Sequence, residues 1–105
     1  MTQMAKEIVD WLEGRAFNAV LRANPEEYPP SKRDKLKELQ ERTRAEVERL
    51  RSCSSAREVV TTFERDLRSA PARKTDRELE DLGLPAPHAI KDEFEDFVYR
   101  LSTNG

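Results

Sequence analysis

From Ser31 to Ser52 the chain confines its apolar residues to one narrow line. Leu36, Leu39, Thr43, Val47 and Leu50 recur three or four residues apart, and almost every position between them is charged. Wound at 100° per residue, these five fall within about 80° of arc. A strand would scatter them over both faces, because its side chains alternate. The stretch therefore predicts a long helix with a thin contact stripe, lying on the outside of a bundle. Glu38–Arg42 at i,i+4, and Glu41–Arg44, Glu46–Arg49 and Glu48–Arg51 at i,i+3, place opposite charges together along its flanks.

The rest of the chain shows the same economy. Only 22 of its 105 residues are Leu, Ile, Val or Phe, and 38% are charged. Roughly 20% of large apolar residues is the level below which disorder takes over, so folding here depends on grouping them. Residues 4–23 place Ala5, Ile8, Val9, Leu12, Ala16, Ala19, Val20 and Ala23 on one broad face, with Asn24-Pro25 as the stop. Val59, Val60, Phe63 and Leu67 share one side of a helix over 56–69, although Val59 to Phe63 is strand-prone by propensity alone. Ile90, Phe94, Phe97, Val98 and Leu101 fall within about 100° on a last helix over 87–102.

Three Ser/Thr-x-x-acid boxes supply helix starts: Ser31 with Asp34, Ser55 with Glu58, and Thr75 with Glu78. In such a box the hydroxyl accepts from an amide of the first turn, and the acid reaches back to the cap. On this reading 70–74 is a loop, and Thr75 opens a short helix over 76–82 that ends at a left-handed Gly83. Helices over 31–52 and 56–69 complete the set, and the linkers of about four to seven residues favour antiparallel neighbours. The expected fold is all-α: a compact bundle of four main helices plus one short helix, mostly antiparallel, in a single domain over 1–105.

Several function classes lack their chemistry. The only cysteine, Cys53, and the only histidine, His88, lie in separate segments, so no nucleophile–base set is assembled. Cys53 reads as an apolar plug between helices, and His88 as a turn residue beside Pro87. Glu93 and Asp96 neighbour each other but lie off the apolar stripe, and no Glu-x-x-His, the di-metal bundle signature, occurs. Gly14, Gly83 and Gly105 are too dispersed to form a phosphate loop. No enzyme activity, cofactor, metal or small-molecule substrate is expected. Without a multi-cysteine framework, a signal-like segment or an apolar run of membrane-spanning length, a cytoplasmic protein without membrane association is expected.

Charge is distributed unevenly. Residues 32–77 carry fourteen basic and nine acidic side chains, whereas 78–105 carry two and seven. Arg33, Lys37, Arg44 and Arg51 form a rough line along one flank of the 31–52 helix, a ridge that could follow phosphates. Interspersed glutamates weaken its field. A helix-turn-helix reading of 75–100 fails because the second helix presents Asp92, Glu93, Glu95 and Asp96 to the phosphates. The basic middle and acidic end either meet within one chain or invite pairing between chains.

On the first helix, Gly14, Phe17 and Leu21 lie at i, i+3 and i+7, off the alanine-centred face, with Trp11 at the same edge. Large apolar groups in that position are covered either by the same chain or by another. The expected function is a small protein-interaction or regulatory domain that binds a protein partner, or itself as a dimer, through Trp11, Gly14, Phe17 and Leu21. The alternative is a nucleic-acid-associated regulator using Arg33, Lys37, Arg44 and Arg51.

Overall fold

A computed structural model describes residues 1–104. The first helix has three parts: α1 (Gln3–Leu12), a π turn (Glu13–Phe17) and α2 (Asn18–Arg22). It is continuous through Gly14. A 3₁₀ turn (Pro25–Glu27) leads to α3 (Pro30–Arg51), followed by α4 (Ala56–Leu67) and α5 (Ala70–Asp81). A second 3₁₀ turn (Pro87–Ile90) precedes α6 (Lys91–Asn104). The described residues form an all-α fold without strands, and Val59 to Phe63 is helical.

Of the three predicted capping boxes, only the one at Ser55 opens a helix. Its hydroxyl accepts from the Glu58 amide at 3.2 Å, but the Glu58 carboxylate turns to the amide and hydroxyl of Ser54 instead of reaching Ser55. At Ser31 the box is overruled by proline. Pro30 takes the first helical position, where its fixed φ is already helical and its missing N–H would have had no partner. Ser31 therefore lies inside the helix. Thr75 is likewise internal. Ser69 caps α5 instead, accepting from the Ala72 amide at 3.2 Å with Pro71 in the first turn. The expected loop over 70–74 is thus the first turns of a 12-residue helix, and the fold has five full helices where four and a short one were expected. Its end is as predicted: Gly83 adopts φ 73°, and the Leu84 and Gly83 amides donate to the carbonyls of Leu79 and Glu80.

The π turn changes which residues of the first helix face inward. The Asn18 amide donates to the Glu13 carbonyl, five residues back. One extra residue in that turn makes everything after it lag by about 100° relative to an unbroken α-helix. Phe17 is thereby carried into the core, only 3% exposed, while Ala19, expected on the buried face, points to solvent.

Helix α3 runs along a molecule of 47 × 21 × 21 Å and serves two separate cores. The larger gathers Ile8, Val9, Leu12, Ala16 and Phe17 with Val47, Leu50, Val59, Phe63, Leu67, Ile90 and Phe94. The smaller joins Val20 to Leu36, Leu39, Leu79 and Leu82. All five stripe residues of α3 are buried, Leu36 and Leu39 in the small core, Val47 and Leu50 in the large one, with Thr43 between them. Each fully buried Leu or Phe contributes about 1.5–3 kcal/mol relative to exposure. The junction is crossed by Gln40, whose buried amide donates to the Val20 and Ala23 carbonyls at 3.0 and 2.8 Å and so closes the end of α2.

Candidate functional site

Between the two cores the helices do not close fully, and a cleft of about 430 Å³ opens among α3, α4 and α5. Its apolar lining comes from both sides: Phe17, Phe63 and Leu67 from the large core, Leu79 from the small one. Pro71 and Ala72, in the first turn of α5, stand on the opposite wall. Their small side chains leave the space unfilled.

The polar lining is concentrated along α3 and α4. Asp66 accepts from Arg49 at 3.0 Å. Glu46, one turn before Arg49 on α3, lies against Asp66 on α4, so two carboxyl groups meet on the cleft wall. Burial, reinforced by the Asp66 carboxylate, pushes the Glu46 carboxyl up to about 7. Arg42, further along α3, is held by Glu38 and by Glu78 of α5. Burial also raises the Asp76 carboxyl on the α5 wall. Of the three hydroxyls at the cleft, Thr43 donates to the Leu39 carbonyl, Ser69 donates to the Asp66 carbonyl while capping α5, and Thr75 accepts from Arg42 across the α3–α5 seam at 3.5 Å.

The residues expected to form a partner-binding patch do not share one exposed face. Phe17 is buried edge-on to Phe63, with ring centroids 6.3 Å apart. Leu21 is partly buried against the large core, and Gly14 is exposed. Trp11 is partly covered, stacked on Phe97 at 4.9 Å. The apolar patch on an unbroken helix is dispersed by the π turn, with Phe17 covered by the chain's own α4 and Trp11 stacked on α6.

The basic line of α3 is also divided. Arg33 turns back to the Tyr28 carbonyl, donating at 3.0 Å. Arg51 bridges to the first helix, donating to Asp10 of α1 at 2.7 Å and to Glu13 of the π turn at 2.9 Å, and this guanidinium holds the Asp10 carboxyl below its ordinary range. Lys37 and Arg44 remain exposed between them. Among the described residues the basic middle pairs with its own acids Glu38, Glu64 and Asp66, and reaches beyond them to Glu26, to Asp10 and Glu13 of the first helix and to Glu78 of α5; no ion pair joins α3 to α6. Cys53 is buried after α3, where its Sγ lies 3.8 Å from the Thr62 hydroxyl, and His88 is exposed.

The sequence offers Glu46 only as a flank partner of Arg49, which pairs with Asp66 instead, and gives Asp66 no role. The available signal is their position: each lies about 20° from the apolar stripe of its own helix, Glu46 just beyond Leu39 and Asp66 just beyond Val59. An acid at the margin of a buried stripe is at risk of desolvation when two such margins meet. Among the described residues no three His, Cys, Asp or Glu side chains are grouped to hold a metal ion, and no helix is long and apolar enough to cross a membrane. No protein-family model matches the chain, and no curated protein or solved structure shows significant similarity to it.

Proposed function

We propose that the chain is a small, non-catalytic protein-interaction module, and that the cleft among α3, α4 and α5 receives one bulky apolar side chain of a partner segment. The observation that carries this reading is the cleft's composition. Four large apolar side chains line it, and charged groups border it, Arg42, Glu46, Arg49 and Asp66 on the α3 and α4 side and Asp76 on the α5 side. An anchor seated on Phe17, Phe63, Leu67 and Leu79 would be desolvated on several sides, the setting in which single residues dominate binding energy. The charges at Arg42, Arg49, Asp66 and Asp76 would set the orientation of the flanking peptide.

A carboxyl titrating near 7 beside a cleft also suits a general base. A base needs a nucleophile, however; the cleft hydroxyls of Thr43 and Ser69 are committed to backbone carbonyls, and that of Thr75 accepts from Arg42. Nucleic-acid binding is supported less well, since Arg33 and Arg51 are drawn into bonds within the chain.

Ala72→Phe would fill the cleft from the first turn of α5, which tolerates the change because Ala72 is only partly buried. Random peptides displayed on phage, selected on the wild-type protein and counter-selected on Ala72→Phe, test the reading. It predicts enrichment of sequences sharing one bulky apolar residue, with binding weakened at least tenfold by the substitution. Binders that do not distinguish the two folded proteins would overturn it.

A further inference from the structure

Where α3 meets α4, Glu46 Oε1 and Asp66 Oδ2 are both sealed from solvent, and neither receives a hydrogen bond. Two ionised carboxylates are acceptors only, so side by side they leave both oxygens unsatisfied and add like-charge repulsion. One proton between them removes both penalties, because the protonated carboxyl becomes a donor to the other. Asp66 is anchored as the charged member by Arg49, which donates to its second oxygen at 3.0 Å. The proton therefore resides on Glu46.

We propose that Glu46 and Asp66 share a single proton across the α3–α4 seam, and that its release toward alkaline pH loosens this seam and the cleft beside it. The pair acts as a pH-sensitive latch, whatever occupies the cleft. Other charges face the pair. Arg49 on α3 and Arg65 on α4 favour the ionised Glu46, but burial and Asp66 outweigh them and hold its proton to about pH 7. Arg42 is neutralised by Glu38 and Glu78, and Asp76, on the α5 side, is itself raised by burial.

The direction of the pH dependence follows. The unfolded chain releases this proton near 4.5, the folded one near 7. Between those values the folded state holds more protons than the unfolded, so stability falls as pH rises. One proton makes the folding constant drop by up to about tenfold per pH unit in that window, with no further loss above it.

The test compares urea unfolding of wild type, Glu46→Gln and His88→Gln between pH 5 and pH 8, with a carboxyl-carbon NMR titration of Glu46 in the wild-type protein. Glutamine keeps the size and supplies the missing donor permanently. The expected result is a pH-dependent wild type, a nearly flat Glu46→Gln, an unchanged slope in His88→Gln, and a Glu46 midpoint near 7. Amides of α4 near Asp66 should also lose protection between pH 6 and 8, beyond the intrinsic rise in exchange, in wild type but not in Glu46→Gln. A Glu46 midpoint in the ordinary glutamate range, or a slope that survives Glu46→Gln and disappears in His88→Gln, would overturn the proposal.

Discussion

At one end of the molecule the helices meet through aromatic rings; at the other they meet through leucines fastened by polar side chains. The large core contains three of the four phenylalanines, among them Phe63 against Phe94 at 4.8 Å, with the fourth, Phe97, stacked on Trp11 at its edge. Rings of this size bury enough area to hold helices together with little directional help. The small core has four leucines and Val20, and it is pinned from outside. Gln40 grips the end of α2, the Tyr28 hydroxyl donates to the Leu82 carbonyl at 3.2 Å, and Glu78 pairs with Lys35 and Arg42. Where apolar area is scarce, hydrogen bonds to backbone fix the arrangement that burial alone would leave loose.

This contrast predicts unequal responses to truncation. Phe63→Ala removes a ring that touches both Phe17 and Phe94, and should cost about 3–5 kcal/mol, a large share of what holds a domain of this size together. Leu36→Ala in the small core should cost about 2–3 kcal/mol, the lower part of the range for buried leucine, because partly buried Tyr28 and Leu84 stand at its edge and can relax inward. Urea unfolding gives both values. Equal losses would mean that the two cores are one cooperative unit of equal quality.

Polar pinning makes the opposite prediction for Gln40. Gln40→Ala leaves the Val20 and Ala23 carbonyls without their donor, at a cost of about 1–3 kcal/mol. The loss should be regional. Native-state hydrogen exchange is expected to show amides of α2 and the start of α3 opening first, with α4 protected as in wild type. If α4 loses protection in parallel, the small core has no separate identity.

Much of this division is visible in the sequence, and what is not has a physical cause. The stripe of α3 needs only the helical repeat, because its apolar residues are separated by charges. The start of α5 was obscured by Pro71, which reads as a loop residue yet is neutral in a first turn that has no use for its N–H. Gln40 and Glu46 both lie about 20° outside the α3 stripe, and only the position of neighbouring helices decides that each is covered. The cleft could not be read at all, since it depends on two cores failing to join. Phe17 went astray for a different reason: hydrophobic periodicity assumes a constant rotation per residue, and the π turn breaks it.

Gly14 sits inside that turn and tests whether the joint between the cores depends on glycine. Its φ is not positive, and a Cβ added there meets no atom within 4 Å. Nothing in the geometry requires a bare backbone, so Gly14→Ala should stabilise the protein by about 0.5–1 kcal/mol through reduced freedom of the unfolded chain. There is a competing outcome. Alanine also favours the ordinary α-helix, and restoring α-helical register here would rotate Phe17 away from Phe63 and return Ala19 to the inner face. That change would be far too costly to stay hidden, because it strips the large core of a buried ring. A small gain in unfolding free energy, with near-ultraviolet circular dichroism unchanged, is therefore expected. A loss of several kcal/mol with altered aromatic signals would instead identify Gly14 as the residue that keeps the first helix in its π register and holds the two cores in phase.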